Sequence, residues 1–377
     1  MKRFLTLIIL FSTAVHMFAA DTVSYKVRQL ENWAFYGTQY PTVQIVASND
    51  RGVPKTLNLK CEIIDHSGRS LYELMQYGTV NPKDSLEMSF AFKALAPGFY
   101  NALFWSNGDI VKSVNVAYEP DKIVPADPVK NLGESIEPLG DYTRVANKVA
   151  LDRRDHNPKF SLVRNKKLSG KVKNVYDFKM VSLDGETVKG LVAFPKGKKG
   201  IPAMISFVPA ENIKENPLAD FTASAQMAEL VFYVSQRGEG EKYFRNILAD
   251  VVLCVDFFNK RAEIDKSRIY AQGEDLGGVC AFLASTLDEG IAASFVATPD
   301  FRKFVESFTV ESLAKNVSVP VLFGLGLQDK TSKLQDDLAI YNMTSSVKEY
   351  FIFPGTDSVE RNQWKYIRDM FILRMGM

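Results

Sequence analysis

The chain has 377 residues, with 46 Lys and Arg against 44 Asp and Glu and only three Cys. A formal charge of +2 without a long basic block leaves no electrostatic footprint for nucleic acid or for an anionic membrane. Cys61, Cys254 and Cys280 are an odd set without metal-ligand spacing, so at least one stays unpaired within the chain, and neither a disulfide framework nor a cysteine-built metal site is expected.

In chain order, the first element is a leader. Lys2 and Arg3 precede an apolar run from Phe4 to Phe11 broken only by Thr6, and Ala19 and Ala20 offer a cleavage point. The apolar run is too short to span a bilayer comfortably, and no Cys follows it. Residues 1–20 are therefore expected to be a signal peptide. The mature chain would be periplasmic or extracellular, with neither a lipid anchor nor membrane insertion. Loss of Lys2 and Arg3 leaves 44 basic against 44 acidic residues, and the remaining length suits about two domains.

Residues 21–120 read as short strands. Thr42–Val46, Leu57–Ile64, Leu86–Phe92, Phe99–Phe104 and Ile110–Val116 alternate apolar and polar side chains, and Asn49–Gly52, Pro97–Gly98 and Asn107–Gly108 punctuate them as turns. The rhythm predicts an Ig-like β-sandwich of about seven strands. Residues 121–167 are rich in Pro and charge (Pro125, Pro128, Pro138, Pro158) and read as a linker wrapping onto a second domain, with at most short helices.

From 168 to 377 strands alternate with helices. A hairpin over Tyr176–Val181 and Val188–Phe194 turns at Asp184-Gly185. Apolar runs follow at Ala203–Val208, Leu230–Val234, Arg268–Gln272, Ala293–Ala297, Val319–Gly324 and Glu349–Phe353. Helix-period stretches lie between them at Tyr243–Ala262, Leu276–Leu287, Phe301–Ala314, Leu334–Met343 and Gln363–Leu373. Continuous apolar strands between amphipathic helices predict an α/β domain with a mostly parallel, doubly covered sheet.

One junction carries the chemistry. A strand ending at Gln272 runs through Gly273-Glu274-Asp275-Leu276-Gly277-Gly278 straight into a helix, the layout of a G-x-S-x-G nucleophile elbow with Asp275 at its centre. With Gln236-Arg237-Gly238-Glu239-Gly240, Ile264–Tyr270, Gly326-Leu327-Gln328-Asp329, Tyr341-Asn342 and Lys348-Glu349 in this order, most of residues 170–377 resembles the acetyl xylan esterase and cephalosporin C deacetylase family of α/β-hydrolases. Tyr118–Ile123 is similar to the join between sandwich and hydrolase in Bacteroides-type members.

The resemblance implies a Ser, Asp, His triad, and here the triad is damaged. Asp275 stands at the nucleophile position and Asp329 keeps the acid position. Thr356, or Ser358 in a shifted alignment, fills the place of the His. The oxyanion positions fall at Ala210, within an altered Pro209-Ala210-Glu211-Asn212 loop, and at Leu276. The chain's three His, His16, His66 and His156, all precede the elbow. An ester formed on a carboxylate nucleophile needs a His-activated water for release, and attack on an acetyl ester gives an uphill mixed anhydride.

Plainer roles exist for each residue. Asp275 is a polar residue on a turn, Asp329 caps the helix that follows, His156 lies on a solvated linker, and Cys280 is a core thiol. Arg237 orders the loop after Leu230–Val234, and aromatics such as Trp33 and Tyr40 serve a sandwich core. Glu274, Asp275 and Asp329 have no His or Cys beside them, so no metal or other cofactor is assigned. Two functions remain open: a non-catalytic binding or assembly protein with a carbohydrate or protein partner, and an esterase that works with unconventional residues. The leader makes its own expectation. N-terminal sequencing of material from the native host should read from near Asp21, and a cytoplasmic protein retaining residues 1–20 would exclude export.

Overall fold

The computed structural model describes residues 23–28, 34–37, 40–65, 68–119, 122, 142–212, 226–287, 290–301, 310–329, 334–353 and 356–376. The expected leader, most of 120–141, Trp33, His16 and His66 lie outside them. The chain divides into two compact units. The smaller takes in the described residues of 1–30, 42–93 and 101–114, and the larger those of 31–41, 94–100 and 115–377.

Eight strands make two antiparallel-dominated sheets. They are β1 (Val23–Arg28), β2 (Ala34–Phe35), β3 (Thr42–Asn49), β4 (Lys55–Asp65), β5 (Ser70–Val80), β6 (Asp84–Ala91), β7 (Gly98–Ser106) and β8 (Asp109–Tyr118). One sheet runs β1-β3-β6 and the other β2-β8-β7-β4-β5. Alternate residues of β3, β4 and β7 point inward, so Val43, Ile45, Leu57, Leu59, Cys61, Ala102 and Phe104 are almost wholly buried. This is the sandwich the alternation predicts, with β5 added. Its register puts Met75 opposite Lys60 and Tyr77 opposite Asn58 on the outer face. Apolar residues on both faces blur the period of two that marks a strand in sequence.

The larger unit is built on a nine-stranded sheet of order β17-β16-β15-β14-β12-β13-β11-β10-β9. Its strands are β9 (Phe160–Arg164), β10 (Lys173–Val181), β11 (Thr187–Pro195), β12 (Ile201–Pro209), β13 (Ala228–Val234), β14 (Ile264–Glu274), β15 (Ala293–Ala297), β16 (Val321–Gly326) and β17 (Lys348–Phe353). β12 through β17 run parallel to one another, while β9, β10 and β11 are antiparallel. The described helices are α1 (Tyr142–Asp155), α2 (Gly240–Asn259), α3 (Leu276–Ala284), α4 (Val310–Lys315), α5 (Leu334–Met343) and α6 (Arg361–Arg374). None is long and apolar enough to cross a membrane.

The segment read as linker holds more structure than its prolines suggest. Tyr142, Val145 and Val149 give α1 a buried stripe, and β9 extends the sheet by pairing with β10. Of the helix expected over Phe301–Ala314, the described part is α4, since residues 302–309 lie outside the description.

A buried ionic network ties the antiparallel end of this unit together. Arg237, after β13, donates to both carboxylate oxygens of Asp184 (2.5 and 2.6 Å) and to Asp250 on α2 (2.5 Å). Ser182 donates to the other Asp250 oxygen at 2.5 Å, and the Asn246 amide donates to the Arg237 carbonyl at 3.1 Å. Burial pushes the Asp250 carboxyl up to about 6, with Arg237 and Ser182 opposing that rise. Arg237→Leu leaves this carboxylate desolvated and without its cation. The variant should lose about 3–5 kcal/mol of stability to urea near neutral pH, and a loss below about 1 kcal/mol would mean that the network is solvated.

Candidate active site

The site lies where the parallel strands end. β12 has β13 on one side and β14 on the other, so the connections diverge there, and open α/β sheets bind ligands outside the strand carboxyl ends at such a switch point. β14 runs directly into α3, and three glycines make that possible. A Cβ on Gly273 would stand 2.1 Å from the Gly277 carbonyl oxygen. One on Gly277 would stand 2.1 Å from the Phe207 oxygen of β12, and one on Gly278 would stand 2.6 Å from the Ala297 oxygen of β15. The helix is thus wedged backbone to backbone between three strand ends.

Asp275 sits at the point of this wedge with φ 52° and ψ −123°. That is not the left-handed helical well that Asp tolerates, because ψ lies far from it. The residue holds a strained turn costing about 1–3 kcal/mol. Its N–H donates to the Ala297 carbonyl (3.2 Å) and its carbonyl accepts from Val279 (3.1 Å). The elbow geometry is complete, and an exposed carboxylate occupies the nucleophile position.

The remaining triad positions gather on neighbouring strand ends. Asp329 follows β16 in a turn closed by its own N–H to the Gly326 carbonyl (3.1 Å). The loop after β17 docks on that turn: Gln328 N–H donates to the Thr356 carbonyl at 2.9 Å, and a Cβ on Gly326 would meet Asp357 at 2.5 Å. The Thr356 hydroxyl accepts from the Ser358 N–H at 3.2 Å, so it braces its own loop. Asp329 caps no described helix, since residues 330–333 lie outside the description and α5 starts at Leu334. Ala210 is exposed in a short 3-10 turn over Ala210–Asn212 just past β12. Leu276 opens α3, where first-turn N–H groups have no partner inside the helix.

His156 is elsewhere. Its Nε2 lies 3.2 Å from the Val181 carbonyl at the end of β10, four strand positions from β14. At ~4.8 Å per strand that is roughly 19 Å across the sheet, beyond reach of Asp275. Cys254 and Cys280 are wholly buried and their thiols are held well above the ordinary range by desolvation. Among the described residues, no group of three or more His, Cys, Asp and Glu is placed to hold a metal ion.

The sequence singles out Glu274 only as a candidate cation ligand beside Asp275 and Asp329, and its place in the structure gives it a different part. Tyr270, Gln272 and Glu274 alternate onto the sheet face covered by α6, where Arg368 donates to Gln272 (2.6 Å) and Gln272 donates to Ser206 (2.7 Å). One step further along the strand, Glu274 meets the charges of Asp275, Arg361, Asp357 and Asp329. Burial is the main cause that lifts its carboxyl from 4.5 to about 7; the three aspartates add to the lift and Arg361 opposes it. The only sequence signal is a Glu placed inside an otherwise glycine-flanked elbow.

This carboxyl keeps a proton in the folded chain that the unfolded chain releases. Its contribution to stability is full below about 4.5 and is lost as pH rises through about 7. Glu274→Gln should therefore match the wild type in urea unfolding near pH 4.5. Near pH 8.5 it should exceed the wild type by on the order of 2–3 kcal/mol. Asp250 titrates in the same sense but is common to both proteins and cancels. A difference that does not change with pH would remove Glu274 from the titrating groups.

No family model matches the chain, and no curated protein matches its sequence. Solved structures do match. The acetyl xylan esterase from Paenibacillus sp. R4 is similar with a TM-score of 0.56 at 18% identity, over 67% of this chain and 99% of that one. Acetyl xylan esterase 1 from Thermoanaerobacterium sp. JW/SL YS485 is similar with a TM-score of 0.56 at 17% identity, over 67% and 99%. At such identity the likeness speaks for the fold, and together with the strand order and the elbow it establishes that this chain has an acetyl xylan esterase-like α/β-hydrolase fold.

Proposed function

We propose that the chain is an exported pseudoenzyme, a binding or assembly protein that uses a hydrolase scaffold in the periplasm or outside the cell. One observation carries the reading. The elbow holds Asp275 in the nucleophile conformation, while the one described His lies about 19 Å away across the sheet and Thr356 braces a loop where a base would stand. A carboxylate needs no base to be ionised, but any ester it formed would wait for an activated water, and among the described residues no His stands near enough to supply one. The site then serves recognition, with a carbohydrate or a protein segment as its partner. The carbohydrate is suggested by the substrates named for the structural neighbours and by nothing finer.

A second reading has one observation in its favour. Glu274 is a half-buried carboxyl next to the nucleophile position whose proton affinity suits acid–base work near neutral pH. It makes an esterase with unconventional residues a concrete alternative.

p-Nitrophenyl acetate hydrolysis by the purified chain separates the two. Wild type and Asp275→Ser should both stay at buffer background, because a serine hydroxyl without a base is a poor nucleophile. Asp275→Ser with Thr356→His, Asp329 being already present, is the smallest change expected to give measurable turnover. Wild-type turnover that disappears in Asp275→Ala overturns the pseudoenzyme reading. If it disappears in Glu274→Gln as well, Glu274 takes the acid–base role.

A further inference from the structure

The smaller unit has an open pocket of about 430 Å³ at the side of the sandwich, between the start of β1 and the β7–β8 hairpin. These two walls belong to different sheets, and β1 is an edge strand that pairs only with β3 among the described residues. The hairpin turn is Asn107-Gly108 with φ of 52° and 90°, the two left-handed residues of a tight type I′ connection. Such a turn is stiff, so this wall is formed before any ligand arrives.

A hydrogen bond between the sheets, Tyr25 Oη to Ser106 Oγ at 3.0 Å, joins the two walls. Ser106 is 6% exposed. Either hydroxyl can be the donor, so whichever donates, the proton of the other and spare lone pairs remain to meet a ligand. Asp109 and Lys112 stand exposed among the lining residues and carry opposite charges, which cancel. Val23 and Val111 supply the apolar part of the lining.

The volume falls in the range of small-molecule sites, and six of the eight lining residues carry a hydroxyl, amide or charged group, set among apolar surface of the kind a sugar ring face covers. A neutral ligand with donors and acceptors on several sides satisfies it; an anion or a cation gains from one rim charge and loses to the other. We propose that this pocket is a binding site for a neutral saccharide of one or two rings, separate from the site beyond β14. An extended peptide added to the open edge of β1 would use main-chain groups along the strand and would leave the hydroxyl pair and the hairpin unused.

The test is calorimetric titration of the full chain with xylobiose, cellobiose, mannobiose and maltose, with glucuronate and glucosamine as charged counterparts. Backbone amide shifts of residues 106–112 are followed in parallel. At least one neutral disaccharide should bind saturably and move those amides. Asp109→Ala and Lys112→Ala, both at exposed positions that leave the sandwich core intact, should each weaken it about tenfold. Four results overturn the proposal: no saturable binding across the neutral panel, binding confined to the charged sugars, binding indifferent to both rim variants but lost in Asp275→Ala, or shifts along β1 produced by a strand-forming peptide instead.

Discussion

Backbone touching backbone at the head of α3 is the constraint on which the larger unit turns. Positions 273, 277 and 278 have no room for a single methyl group against Gly277, Phe207 and Ala297. Any other residue at these points would force α3 away from β12, β14 and β15 and open the centre of the sheet. The same wedge dictates the backbone of Asp275, whose φ and ψ follow from a strand that must become a helix within one residue. The strain is therefore a property of the junction, whatever side chain it carries. This is how a hydrolase elbow can outlive the chemistry it displays.

The alternation of β14 distributes polar groups to the other side of the sheet. Gln272 and Glu274 share the face covered by α6, and on that helix Arg361 and Arg368 are seven residues, two turns, apart. Arg368 is 3% exposed and finds Gln272 and Asp369 as partners, so its charge is compensated inside the interface. Arg361 is one cation among Glu274, Asp275, Asp329 and Asp357. Desolvation disfavours the Glu274 anion, and holding a proton there also reduces the repulsion among these carboxyls.

Most of the fold was legible because its signals are local. Continuous apolar strands, helical periods and the glycine pattern around Asp275 placed β10 to β17, the later helices and the elbow within a few residues. What escaped has a physical reason in each case. α1 buries only Tyr142, Val145 and Val149, and six of its other residues are charged, so the prolines around it outweigh its helical period. β5 has apolar side chains on both faces. At the site, the triad positions are readable from motif spacing, whereas for Glu274 only a cation-ligand role is readable, because its acid–base character depends on desolvation and on charges from the loops after β16 and β17 and from α6. Arg237 was given a structural part, and its bonds to Asp184 and Asp250 show the mechanism. Tyr40, expected among core aromatics, is 60% exposed.

The cysteines lead in another direction. Cys61 lies in the core of the sandwich, and burial pushes its thiol up to about 12; Cys254 and Cys280 lie in the core of the larger unit. None can offer a thiolate to a reagent while its surroundings stay closed. Each unit thus carries its own sealed chemical clock. The rate at which an alkylating reagent marks Cys61, compared with the rates at Cys254 and Cys280, reports how often each core opens under native conditions, without any engineered label.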